Sequence, residues 1–133
     1  MTRPRLSILP SLRRVLLVVL VIVWVGAFAA THTPAARLPE LHTSDKLLHV
    51  LGYFLLGGVF HVTLAAYGIG GLWRSGVVLL TMAAYGALDE LTQPLVNRCA
   101  ALDDWLADLA GAAAAVLVLE ALHAALRLRK TSP

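Results

Sequence analysis

The stretch GVVLLTMAAYGALDELTQPLV, Gly76 to Val96, decides what kind of molecule this is. Most of it would rest in hydrocarbon without cost, yet Asp89, Glu90 and Gln93 crowd one end. A carboxylate at the centre of a bilayer costs roughly 2.5–3.5 kcal/mol on insertion scales. The segment is therefore either a buried helix of a water-soluble core or a membrane helix whose acids serve a purpose.

The sequence around it favours the second. Of the 133 residues, 59% are hydrophobic and 14% charged, the latter well below the roughly 25% of soluble domains. Mean hydropathy is +0.77. The apolar residues gather in four blocks, approximately 15–30, 47–67, 76–96 and 105–126. Most of these approach the ~20 residues a spanning helix needs. The block Val15–Ala30 has no polar face, which an amphipathic soluble helix would show. The expectation is an all-α integral membrane protein: one domain over residues 1–133, folded as a bundle of four transmembrane helices. Arg13 and Arg14, the apolar run and the small residues of GAFAATH also suit a signal peptide, although the run is long for one. Cleavage there would leave the later spans in the same orientation.

Basic residues fix the expected orientation. Arg3, Arg5, Arg13, Arg14, Arg74, Arg127, Arg129 and Lys130 fall on one side of a four-span chain, and Arg37, Lys46 and Arg98 on the other. By the positive-inside rule both termini are cytoplasmic. The isoelectric point near 9.5 reflects this asymmetry. No basic–aromatic alternation points to nucleic acid. Cys99 is alone and forms no internal disulfide. The small residues of Ala110–Val116, like Gly57 and Gly58, suit close helix packing.

The polar residues fall at one depth. Asp45, His49 and Tyr53 recur every fourth residue, on one face of the second helix, with Ser44 as its cap. The third helix should stop near Pro94. Gly86 and Glu90 share a face there, with Gln93 one turn on. The fourth re-enters with Asp104, Asp108 and Gly111 in a stripe and Trp105 at the interface. Asp45, His49, Glu90, Gln93, Asp104 and Asp108 thus meet at the outer level, with Arg98 in the loop between two of the helices. Asp103 reads as a solvated loop acid. Asp89 either joins Gln93 or faces a neighbouring helix. His61 and Glu120 fall at similar depth in the opposite half and suit a structural pair. His123 and the Arg127–Lys130 run suit lipid headgroups. His32 and His42 receive no role.

The segments DKLLHVLGYFLLG and DELTQPLVNRCAALDDWLADLAG together resemble the VanZ-like family of small bacterial membrane proteins. The family pattern falls on Asp45, Lys46, His49 and Tyr53, then Glu90 and Gln93, then Arg98, Asp104 and Gly111. Asp108 stands where the family usually has Asn, and the loop from Gln93 to Arg98 is about one residue shorter. The resemblance covers roughly residues 44–115. It implies a multi-pass protein of the bacterial cytoplasmic membrane with a cell-envelope role, the family being named for a protein linked to teicoplanin resistance.

Roles follow for the cluster. Glu90, the deepest acid, suits a general acid or base, with His49 as partner, Asp45 orienting it, and Asp104 beside them. Arg98 suits bidentate capture of an anionic headgroup. Lys46, Tyr53, Gln93 and Asp108 complete a ligand-binding set. Carboxylates and imidazole converging from several helices could hold Mg, Ca or Mn, but no HExxH or Cys/His motif is present. No metal ligand and no cofactor is assigned. Expected partners are membrane lipids, a lipid-linked wall precursor or a glycopeptide, and a further copy of the chain is compatible. An enzyme, a non-catalytic binder or scaffold, and a small proton-coupled transporter subunit all remain open at this point.

Overall fold

The computed structural model describes residues 10–34 and 44–131, except for the side chains of 130 and 131. Arg3, Arg5, Arg37, His42 and the Lys130 side chain lie outside the described residues. The described chain forms four helices: α1 (Pro10–Thr31), α2 (Asp45–Ala66), α3 (Gly71–Thr92) and α4 (Leu102–Thr131). A helix of 22 residues, the length of α1, α2 and α3, extends about 33 Å, close to the hydrocarbon thickness of a bilayer. Three helices are long and apolar enough to cross a membrane: α1, α2 and the Leu102–Arg129 part of α4. The third helix matches the first two in length but carries Arg74, Asp89 and Glu90.

The distribution of side chains is inverted relative to a water-soluble bundle. His49, His61, Arg74, Asp89, Glu90, Gln93 and Asp108 are each at most 7% exposed. Ile22, Val25, Leu80 and Leu117 are 62–74% exposed, part of an extensive apolar exterior. Contiguous apolar surface on this scale marks an interaction or membrane surface.

Several boundaries differ from the sequence reading. The third helix begins at Gly71, ahead of Gly76, and α4 runs on to Thr131. Between α2 and α3 the chain turns at Gly68, φ +88°, with the Ile69 N–H donating to Leu64 O. Pro94 ends α3 through a 3-10 turn, Gln93–Val96. Asn97 closes it in the left-handed region at φ 59°, a conformation asparagine tolerates better than most residues. Asp103 belongs to the first turn of α4 rather than to the loop.

The second helix is the hub, packed against α1, α3 and α4, and α3 also packs on α4. Its closest approach is to α4. A Cβ on Gly111 would overlap the Val50 carbonyl oxygen, so only glycine permits this crossing. The core joins Leu20, Tyr53, Leu56, Val78, Met82, Ala112 and Val116. Trp24 of α1 packs edge-on against Phe60 and Tyr85, at 5.9 and 5.0 Å between ring centres. Along the seam of α2, α3 and α4, the fully buried Leu56, Val78 and Met82 form an apolar belt. A polar cluster lies on either side of it.

Candidate functional site

The first cluster forms where the end of α1 and the start of α2 meet the end of α3 and the start of α4. His49 and Asp108, both buried, join α2 to α4 through a 2.8 Å contact from Nδ1 to Oδ1. With Asp108 ionised, the proton lies on Nδ1, leaving Nε2 as the nitrogen able to accept a proton or bind a ligand. Asp108, not Asp45, therefore sets the imidazole's orientation.

Glu90 is held at both oxygens. Gln93 Nε2 donates to Oε1 at 3.1 Å, and the Ala101 N–H donates to Oε2 at 2.9 Å. The 3-10 turn makes this possible, because it brings the chain back over the end of α3 and turns Gln93 inward. Trp105, expected at the interface, acts as a strut: its Nε1 donates to Ala83 O of α3 at 3.0 Å. Opposite it is Gly86. A Cβ there would stand 3.1 Å from Asp108 Oδ2, 3.2 Å from the Trp105 ring and 3.4 Å from the Tyr53 hydroxyl. Neither Asp108 Oδ2 nor the Tyr53 hydroxyl has a hydrogen-bond partner, although both are buried.

The remaining members line the rim. Asp45 is exposed, Asp104 partly buried, and each offers a carboxylate oxygen within 4.8 Å of the other and of a His49 nitrogen. Asp45 also stands 3.6 Å from Arg98. Lys46 turns away from His49 to pair with Asp103, both more than half exposed. Arg98 reaches carbonyls at and just beyond the end of α1, Ala30 O at 3.4 Å and Thr33 O at 3.5 Å. The structure thus gathers His49, Tyr53, Glu90, Gln93 and Asp108 in the interior and leaves Asp45, Lys46, Arg98 and Asp104 nearer the surface. Ser44 occupies the N-cap position of α2 without a side-chain capping bond; its carbonyl accepts from Leu47 and Leu48 instead.

Two participants were not anticipated. Thr31 donates to Asp89 Oδ1 at 2.8 Å, and His32 Nε2 lies 2.9 Å from Thr92 Oγ1. Asp89 therefore faces α1 and does not join Gln93. Thr31 and His32 are the first polar residues after the apolar run, so placing them by depth, as was done for the other helices, would have found them.

The second cluster lies beyond the apolar belt. Arg74 donates from Nε to His61 Nε2 at 3.0 Å and from an Nη to Glu120 at 2.7 Å, and Ser75 also donates to Glu120. The expected His61–Glu120 approach is present at 3.0 Å, with Arg74 holding both. Because His61 Nε2 accepts from Arg74, it cannot also donate to Glu120, and Arg74 rather than a direct hydrogen bond ties the two together.

Compared with protein-family models, with curated proteins and with solved structures, the chain matches none.

Proposed function

We propose that the chain is a VanZ-like protein of the bacterial cytoplasmic membrane. In this reading all four helices span, both termini are cytoplasmic, and the His49–Glu90–Asp108 cluster opens to the outer face. There it binds or acts on an anionic amphiphile, such as a membrane lipid, a lipid-linked wall precursor or a lipoglycopeptide.

The carrying observation is the layered cluster. A buried imidazole is oriented by a carboxylate, beside a second fixed carboxylate, beneath a rim that carries Lys46 and Arg98. Intramembrane ionisable groups are by default functional. An imidazole with Nδ1 engaged and Nε2 available is a general base, and Glu90 beside it supplies the complementary acid or holds the reacting group. The rim cations suit the phosphate or carboxylate of a lipid-anchored substrate, whose chains would lie along the apolar exterior.

Scaffolding is the second reading, favoured by Glu90 having both oxygens occupied and by Asp89 tying α1 to α3. A proton-coupled transporter is disfavoured by the belt of Leu56, Val78 and Met82, which interrupts any polar path between the two clusters.

The test is mass-spectrometric profiling of envelope lipids and wall precursors in strains carrying no copy, the wild type or Glu90→Gln at equal membrane level. One species accumulating only without a working Glu90 establishes an enzyme and points to its substrate. Identical profiles with altered lipoglycopeptide susceptibility establish binding. Identical profiles and equal susceptibility favour the scaffold.

A further inference from the structure

We propose that α2, α3 and α4 hold a divalent metal ion between His49, Glu90 and Asp108, and that Mn²⁺ is of the class that fits. One ligand atom from each of these buried side chains lies within 4.8 Å of the other two. His49 Nδ1 and Asp108 Oδ1, at 2.8 Å, already have the spacing of neighbouring ligands on one ion. Metal–ligand bonds of about 2.0–2.2 Å place such neighbours about 3 Å apart, so Glu90 has to move toward the ion and loosen its hold on Gln93 or Ala101 to complete the set.

Two further observations point to a ligand at this place. The Asp108 Oδ2 and Tyr53 hydroxyl are buried without partners, and both overlook Gly86, where the absent side chain leaves a cradle. Asp108 thus has an oxygen to offer, and Tyr53 has a hydroxyl to hydrogen-bond a water on the ion. Charge gives the second argument. Among the described residues, the cations at this end of the bundle are engaged elsewhere: Lys46 with Asp103, Arg98 with carbonyls at and just beyond the end of α1 and with Asp45. Two buried carboxylates therefore face one imidazole and no Lys or Arg, an arrangement that a cation makes tenable.

The donor set selects the class of ion. Two carboxylates with a hydroxyl or water nearby suit Mg, Ca or Mn, whereas imidazole favours the transition metals. Manganese satisfies both. On binding, the ion takes the place of the proton between His49 and Asp108, and the imidazole stays neutral by carrying its proton on Nε2 instead. Asp45 and Asp104 at the rim form a second oxygen set around His49 along the way in. The ligands come from three helices, so no linear motif announces them. The site stands on side-chain geometry alone and does not depend on the envelope substrate proposed above.

The test uses the full chain in lipid nanodiscs, stripped with chelator and titrated with Mn²⁺, with free ion followed by electron paramagnetic resonance. Bound metal is counted by elemental analysis, with Zn²⁺ and Mg²⁺ as competitors. The expected result is one saturable ion per chain, with affinity lowered at least tenfold in Asp108→Asn and in Glu90→Gln and unchanged in Asp103→Asn. Helicity by circular dichroism identifies any variant that fails to fold. Wild-type protein that retains no saturable ion overturns the proposal, whatever the variants do. So does equal loss in Asp103→Asn, which would mean diffuse surface binding. Metal binding with identical lipid profiles would refute the enzymatic reading and leave the metal site standing.

Discussion

Adding a methyl group at three glycines of the α2–α4 region should give three different results, each set by what that carbon would meet. At Gly52 no heavy atom lies within 4 Å, so Gly52→Ala gains only helix propensity, at most about 1 kcal/mol. At Gly57 the new Cβ would lie 3.3 Å from Ala112 Cα and 3.5 Å from its Cβ. A movement of a few tenths of an ångström relieves that contact, and the overpacking cost of about 1 kcal/mol roughly cancels the propensity gain. At Gly111 the obstacles are backbone: the Val50 carbonyl oxygen overlaps the new carbon, and Phe54 N stands at 3.0 Å. Backbone atoms cannot rotate aside, so α2 and α4 must part. The cost reaches the upper end of the overpacking range, about 3 kcal/mol, or about 2 after the propensity gain. The parting also stretches the 2.8 Å His49–Asp108 contact, one turn away. Stability is read from reversible unfolding in mixed micelles with increasing SDS, followed by far-ultraviolet circular dichroism. The expected order is Gly52→Ala above wild type, Gly57→Ala near it and Gly111→Ala well below. Equal stability of Gly111→Ala and Gly52→Ala would refute the close crossing, and with it the juxtaposition of His49 and Asp108.

Thr31→Val keeps the shape of the side chain but removes the donor to Asp89. It should cost about 1.5–3 kcal/mol, the range for hydrogen bonds to charged groups, and speed amide exchange in the last turn of α1; unchanged exchange would mean that this link carries nothing. Arg74→Met strips donors from His61 and Glu120, but Glu120 is partly exposed and water takes over some of the loss. A cost of about 1–3 kcal/mol is expected in the same titration, and a clearly smaller one for Lys46→Ala at the exposed, solvent-screened Asp103 pair. A ranking with Lys46 above Arg74 would count against the second cluster as a structural tie. Cys99 is the lone cysteine and is exposed, so a membrane-impermeant maleimide should label it in intact cells. Labelling only after permeabilisation would reverse the proposed orientation and turn the His49 cluster to the cytoplasm.

The helices were legible because apolar blocks of near-spanning length admit few other structures. Their ends were less so. Leu72 and Trp73 extend α3 backwards although Arg74 follows them, because Arg74 is buried on His61 and Glu120 and does not interrupt the apolar run energetically. Within the site, helical spacing correctly put Asp45, His49 and Tyr53 on one face of α2. Spacing says nothing about which residue of another helix stands opposite, and so it paired His49 with the nearest acid in sequence, Asp45, where the structure pairs it with Asp108. Depth along the helix, applied to α2, α3 and α4, found the cluster. At the end of α1, Thr31 and His32 reach the same level and meet Asp89, contacts that spacing within one helix does not reveal.

Asp108 is where the proposed family likeness and the geometry meet. An amide at this position, as in the usual family pattern, presents one oxygen and one NH₂ group. The oxygen would accept from His49, and the NH₂ would stand above Gly86 on the same side as the Tyr53 hydroxyl. A neutral contact would result. The carboxylate found here is acceptor-only when ionised, so the oxygen above Gly86 asks for a donor or a cation instead. The Tyr53 hydroxyl does not hydrogen-bond it, and the carboxylate of Asp108 lies near that of Glu90 with only His49 close to both. Under the proposed likeness, an acid in place of the usual amide changes what this position recognises more than it changes the fold. On the proposed metal site, the backbone that would suit a neutral amide contact offers a cation a carboxylate in this chain.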